Sequence, residues 1–128
     1  MVGIVLVSHS EKVAEGVREL SLQMAGDAKI AAAGGTEDGR LGSDVNKISA
    51  AINDVYSEDG VIVLFDLGSA YMNAEMAVEL MESGGDKVEI VDCAFVEGAI
   101  TAAVESTLDK NREDIKMSIE KLKLDKMP

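Results

Sequence analysis

The chain has 128 residues, 47% of them hydrophobic but only 3% aromatic, with no Trp, one Cys, one His and a net charge of −12 at pH 7. That length suits one domain with an aliphatic core that needs no metal or disulfide. The acidic charge excludes the basic footprint of a nucleic-acid binder, and no apolar run is long enough to span a bilayer.

We expect residues 1–128 to form a single domain. The first residues lack the basic start of a signal peptide. Cys93 stands alone in an apolar run, so it reads as a buried structural thiol, and one histidine leaves no plausible zinc site. A cytoplasmic protein without a cofactor is the expectation. Charge is uneven: residues 1–108 carry 19 acidic and 6 basic side chains, residues 109–128 carry 5 and 6. An acidic body suits solubility, and also encounter with basic protein partners.

Val2–Val7 reads as a buried strand that stops at Ser8-His9-Ser10. Ser10 is a good N-cap, and Val13, Val17, Leu20 and Met24 follow at helical spacing. Lys29–Ala33 is a second, weaker strand, and GGTEDGRLGS is a loop. Its Gly34 and Gly39 have P-loop spacing, but Arg40 and Leu41 stand where Lys and Ser/Thr are required, so nucleotide binding there is rejected. Ser43 or Asp44 opens a helix carrying Val45, Ile48, Ile52 and Val55. VIVLF, at 61–65, is the clearest strand. It ends at Asp66, and Leu67-Gly68-Ser69 punctuates a helix from Ala70 to Met81. Met72, Met76 and Leu80 form a row on that helix, either core or partly a partner contact. Ser83-Gly84-Gly85 stops it. Val88–Asp92 is a fourth strand, followed by a helix from about Glu97. A last helix from about Asp109 carries Ile115, Ile119 and Leu122 on one face.

Strand–helix alternation with continuously apolar strands predicts an α/β fold, a doubly wound parallel sheet with helices on both faces. Four such strands give the order 2-1-3-4. The chain reverses direction between strands 1 and 3, and such folds bind ligands beyond the carboxyl ends at that switch point.

His9 follows strand 1 and Asp66 ends strand 3, so this order puts them side by side. A helix starts after each, offering free N–H groups and partial positive charge to a phosphate. A lone histidine at a strand end is usually a surface or capping residue, an aspartate there often caps a turn, and Ser43 and Ser69 are good N-caps. The pairing favours chemistry instead. A neutral imidazole is nucleophilic near pH 7. A carboxylate on one ring nitrogen supports the charge that grows as the other attacks. Phosphoryl transfer asks mainly for positioning and charge stabilisation. A phosphohistidine carrier fits.

VSHS, GGTEDGRLGSD, LFDLGSAYMNAEMA and FVEGAITAA together resemble the DhaM phosphotransferase subunits of bacterial dihydroxyacetone kinases. More broadly the chain is similar, end to end, to the mannose-type EIIA domains of the phosphoenolpyruvate-dependent phosphotransferase system. The resemblance implies a doubly wound sheet, often with an antiparallel edge strand, and a homodimer. It implies that His9 accepts a phosphoryl group from the carrier HPr and that Asp66 pairs with it. Gly42, Ser43, Gly68 and Ser69 match positions lining the phosphoryl pocket. The implied acceptor is ADP held by a DhaL subunit, whose ATP then phosphorylates dihydroxyacetone on DhaK. Some relatives fuse further carrier domains to this one, so a separate donor protein is expected here.

Three rivals stand beside this reading. One is a sugar-transporter EIIA that passes phosphate to an EIIB domain. Another is a receiver-like signalling module phosphorylated on Asp66. The third is a flavin carrier, which the scarcity of aromatics and the acidic loop disfavour.

Overall fold

The computed structural model describes residues 1–127. Four strands, β1 (Gly3–Ser8), β2 (Ile30–Gly34), β3 (Val61–Phe65) and β4 (Val88–Val91), form one parallel sheet in the order β2-β1-β3-β4. Five helices connect and follow them: α1 (Glu11–Met24), α2 (Val45–Val55), α3 (Gly68–Glu79), α4 (Phe95–Thr107) and α5 (Arg112–Glu120). The predicted 2-1-3-4 order is the observed one. Ser8 pairs with Gly34 and Val7 with Phe65, so the ends of the three neighbouring strands finish level at one edge.

Side chains of a strand alternate faces, so a sheet covered on both sides must be apolar at every position. β3 obeys this throughout, and β1 does so up to its last residue, Ser8. Ile4, Leu6, Ile62 and Leu64 pack on Val17, Ala99, Ala102, Ala103, Ile115 and Ile119, the layer of α1, α4 and α5. Val5, Val7, Val63 and Phe65 pack on Ile48, Ala51, Ile52, Ala70, Ala74 and Ala77, the layer of α2 and α3. Each large aliphatic buried this way contributes roughly 1.5–3 kcal/mol.

The helical stripes are narrower than their hydrophobic residues suggest. α1 buries Ala14, Val17 and Ser21, leaving Val13, Leu20 and Met24 exposed. α3 buries only Ala70, Ala74 and Ala77. Met72, Met76 and Leu80 are exposed rather than core. In both helices small residues face the sheet, which lets the backbones approach closely.

Boundaries moved for local reasons. Asp44, not Ser43, caps α2 by accepting from the Lys47 N–H. α3 begins at Gly68 behind Leu67, which offers no side-chain cap, and it ends at Glu79 rather than Met81. α4 begins two residues before Glu97, at Phe95, because Phe95 and Val96 continue an apolar run without breaking the helix. α5 starts at Arg112 because Asn111 caps it through the Asp114 N–H.

No antiparallel edge strand is present among the described residues. The segment after α5 runs beside β4, but the Leu124 and Lys126 N–H groups donate to the Asp92 carboxylate instead of a strand. The opposite edge is capped too. β2 turns its Ile30 and Gly34 carbonyls outward, and these accept from Arg18 Nε (2.9 Å) and Lys47 Nζ (2.9 Å).

Candidate active site

β1 and β3 end at adjacent positions, and their next residues are His9 and Asp66. The Asp66 N–H donates to the Val7 carbonyl, so the carboxylate emerges from the sheet beside the imidazole. Asp66 Oδ1 lies 3.1 Å from His9 Nδ1, and Oδ2 accepts from the His9 backbone N–H at 3.0 Å. Ser8 Oγ donates to Oδ2 at 2.8 Å, and the Leu67 N–H to Oδ1 at 2.7 Å. The carboxylate therefore has four partners.

Burial opposes ionisation of Asp66. The bonds from the His9 backbone and ring, Ser8 and Leu67 outweigh it and hold the carboxyl below its ordinary value. Asp66 is an anion at neutral pH. An ionised carboxylate can only accept, so in the neutral ring the proton sits on Nδ1 and the lone pair on Nε2. The sequence could not distinguish the two ring nitrogens; this arrangement does.

Nε2 faces Ser69 Oγ at 2.6 Å, in the first turn of α3. Ser10 caps α1 by accepting from the Val13 N–H at 3.3 Å. The imidazole thus sits between two helix N-termini, whose N–H groups favour an arriving anion. His9 keeps 25% of its side-chain surface open and Asp66 20%, so the ring is reachable while its orientation is fixed.

The loop after β2 closes over the same edge. The Gly42 N–H donates to the His9 carbonyl at 2.7 Å, and Gly42 adopts φ +136°, a conformation that favours glycine. Ser43 does not reach the imidazole by a hydrogen bond. Its Oγ accepts from Asn73 Nδ2 at 2.6 Å, tying the loop to α3. Gly68 is the first residue of α3, immediately before Ser69.

Two contributors were missed by sequence reasoning. Ser8 is fully buried and accepts from the Ser10 N–H while donating to Asp66. A single polar residue closing an otherwise apolar strand was the available signal. Asn73 gave none, since its partner lies thirty residues away. Cys93 is buried as expected, and burial pushes its thiol up to about 12, far from reactive thiolate.

The family model described as the PTS system fructose IIA component, EIIA-man, matches residues 3–116. The chain is 42% identical over 117 residues to the phosphoryl donor subunit DhaM of PEP-dependent dihydroxyacetone kinase 2 of Listeria innocua, covering 90% of this chain and 94% of that one. It is 33% identical to the DhaM phosphotransferase subunit of the PTS-dependent kinase of Lactococcus lactis, covering 97% and 98%. The Escherichia coli DhaM is 41% identical over 109 residues, but this chain spans only 23% of its length. Among solved structures, the unknown function protein EF1359 superposes with a TM-score of 0.83 at 34% identity, covering 94% of each chain.

Proposed function

The chain belongs to the EIIA-man family, and on that premise we propose that it is a phosphohistidine carrier serving a dihydroxyacetone kinase. His9 takes a phosphoryl group from phospho-HPr and passes it to ADP held on a DhaL subunit. The ATP formed there phosphorylates dihydroxyacetone on DhaK. The carrier works as a cytoplasmic homodimer.

One observation carries this reading: Asp66 fixes Nδ1, while Nε2 points towards the open edge beside Ser69. The Nε2 lone pair attacks phosphorus as the P–N bond to the donor's histidine breaks. Positive charge grows on the ring, and the Asp66 carboxylate stabilises it without accepting the proton. Ser69 Oγ and the free N–H groups of α3 and α1 receive the phosphoryl oxygens. Passage onward reverses the step, with a β-phosphate oxygen of ADP as the attacking atom and Nε2 as the leaving group. A receiver-like role for Asp66 fits the geometry poorly, because both its oxygens are committed to four donors.

The test mixes the protein with labelled phosphoenolpyruvate, the two general carriers, and either DhaL-ADP or an EIIB domain. Label should pass through this chain to DhaL-ADP. Drainage to the EIIB domain alone would reassign the acceptor, and labelling of His9→Gln would overturn the reading.

A further inference from the structure

We infer that Lys126, sixty residues from Asp66 in sequence, is a positioning residue for phosphoryl transfer; this rests on the carrier reading above. The segment after α5 doubles back across the carboxyl edge of the sheet. Its Leu122 carbonyl accepts from the Ala94 N–H at 2.9 Å. Asp92, buried at the end of β4, accepts from the Leu124 N–H with one oxygen and the Lys126 N–H with the other, at 3.4 and 2.7 Å. That anchor delivers the Lys126 side chain to β3. Nζ donates to the Phe65 carbonyl at 2.6 Å and lies 4.8 Å over the Phe65 ring.

Phe65 is the last residue of β3, and its carbonyl belongs to the peptide unit that leads into Asp66. A charged donor on that carbonyl fixes the rotation of the peptide plane from which the catalytic carboxylate projects. The same ammonium stands near enough to Asp66 for the two charges to interact. Half-burial and a charge-assisted bond on a β-strand end are uncommon for a lysine, which usually keeps its head in water. The environment burdens the ammonium, since burial favours its neutral form. The neighbouring acids Asp92 and Asp66 and the ring of Phe65 offset only part of that cost. The expected role is therefore orientation of the Asp66–His9 pair, with no contact to substrate required.

The test compares wild type, Lys126→Met, Lys126→Arg and His9→Gln in labelling by phospho-HPr. Lys126→Met should lower kcat by about ten-fold while the donor KM stays within about two-fold, because a misplaced pair reacts slowly but still docks. Its hydrogen-bonded Nδ1 proton resonance should shift or broaden by NMR. Lys126→Arg should recover kcat to within about three-fold, since it keeps the charged donor. If Lys126→Met does not fold, Asp92→Asn replaces it, and there too a selective fall in kcat supports the inference. Unchanged kcat and Nδ1 resonance, with His9→Gln unlabelled, overturn the role of Lys126 and leave the carrier reading standing. A labelled His9→Gln overturns both.

Discussion

Asp66 grips His9 at two points, one oxygen facing ring Nδ1 at 3.1 Å and the other accepting the His9 main-chain N–H at 3.0 Å. The ring is thereby oriented relative to its own backbone as well as to β3. Free rotation of an imidazole would scatter Nε2 over directions that no incoming phosphorus could share.

Replacing Asp66 with Ala removes the support of the growing imidazolium charge and the tautomer selection together. Labelling of His9 should slow by on the order of 10²-fold or more. Rapid-quench measurement with excess phospho-HPr checks this. An unchanged rate would reduce Asp66 to a turn cap.

Stability should carry the signature of the same carboxylate. Its folded pKa lies below the unfolded value of 3.8, so ionised Asp66 favours the fold. That contribution is fully present above 3.8 and is lost as pH falls through the lower folded value. Urea melts of wild type and Asp66→Asn should differ most at neutral pH and converge below 3.8. A difference that ignores pH would show that Asp66 stabilises only by shape.

Ser69→Ala leaves the α3 backbone intact but removes the hydroxyl facing Nε2. Hydrogen bonds to charged groups contribute about 1.5–3 kcal/mol, so phosphoryl transfer should fall by roughly 10- to 150-fold. The melting temperature should hardly change, because His9 and Ser69 meet at the exposed edge. Parallel kinetic and thermal measurements on one preparation check both halves.

Gly34 tests the frame behind the site. A Cβ there would meet the Ser10 carbonyl at 2.5 Å, the Glu11 Cα at 2.7 Å and the Ala14 Cβ at 2.8 Å. Two of the three are backbone atoms at the start of α1, so no flexible side chain can yield. Gly34→Ala should cost about 1–3 kcal/mol, read by chemical denaturation. It should also slow labelling, because α1 begins two residues after His9.

The sheet was readable because its two central strands are covered on both faces, which makes β3 apolar throughout and β1 apolar up to Ser8. From that follows the order of strands, and from the order the meeting of His9 with Asp66. The narrowness of the helical stripes was not readable. Val13 and Met72 have the spacing of core residues, yet alanines beside them face the sheet. Hydrophobicity ranks Met above Ala, whereas close packing of a helix on a sheet favours the smaller side chain. The start of α3 was hidden for a related reason, since Leu67 caps it without a side-chain bond and Gly68 resembles a turn. Ser8, Asn73 and Lys126 act through partners far away in sequence, and local periodicity holds no record of such pairings.

The cations on the outward carbonyls of β2 also bear on what the molecule avoids. Docking a foreign strand there would first require expelling Arg18 and Lys47 from the acceptors they satisfy. An unguarded flank of alanines and isoleucine would template stacking of one copy upon the next into fibrils. Two long, charged side chains reaching over from the neighbouring helices make that flank a poor seed.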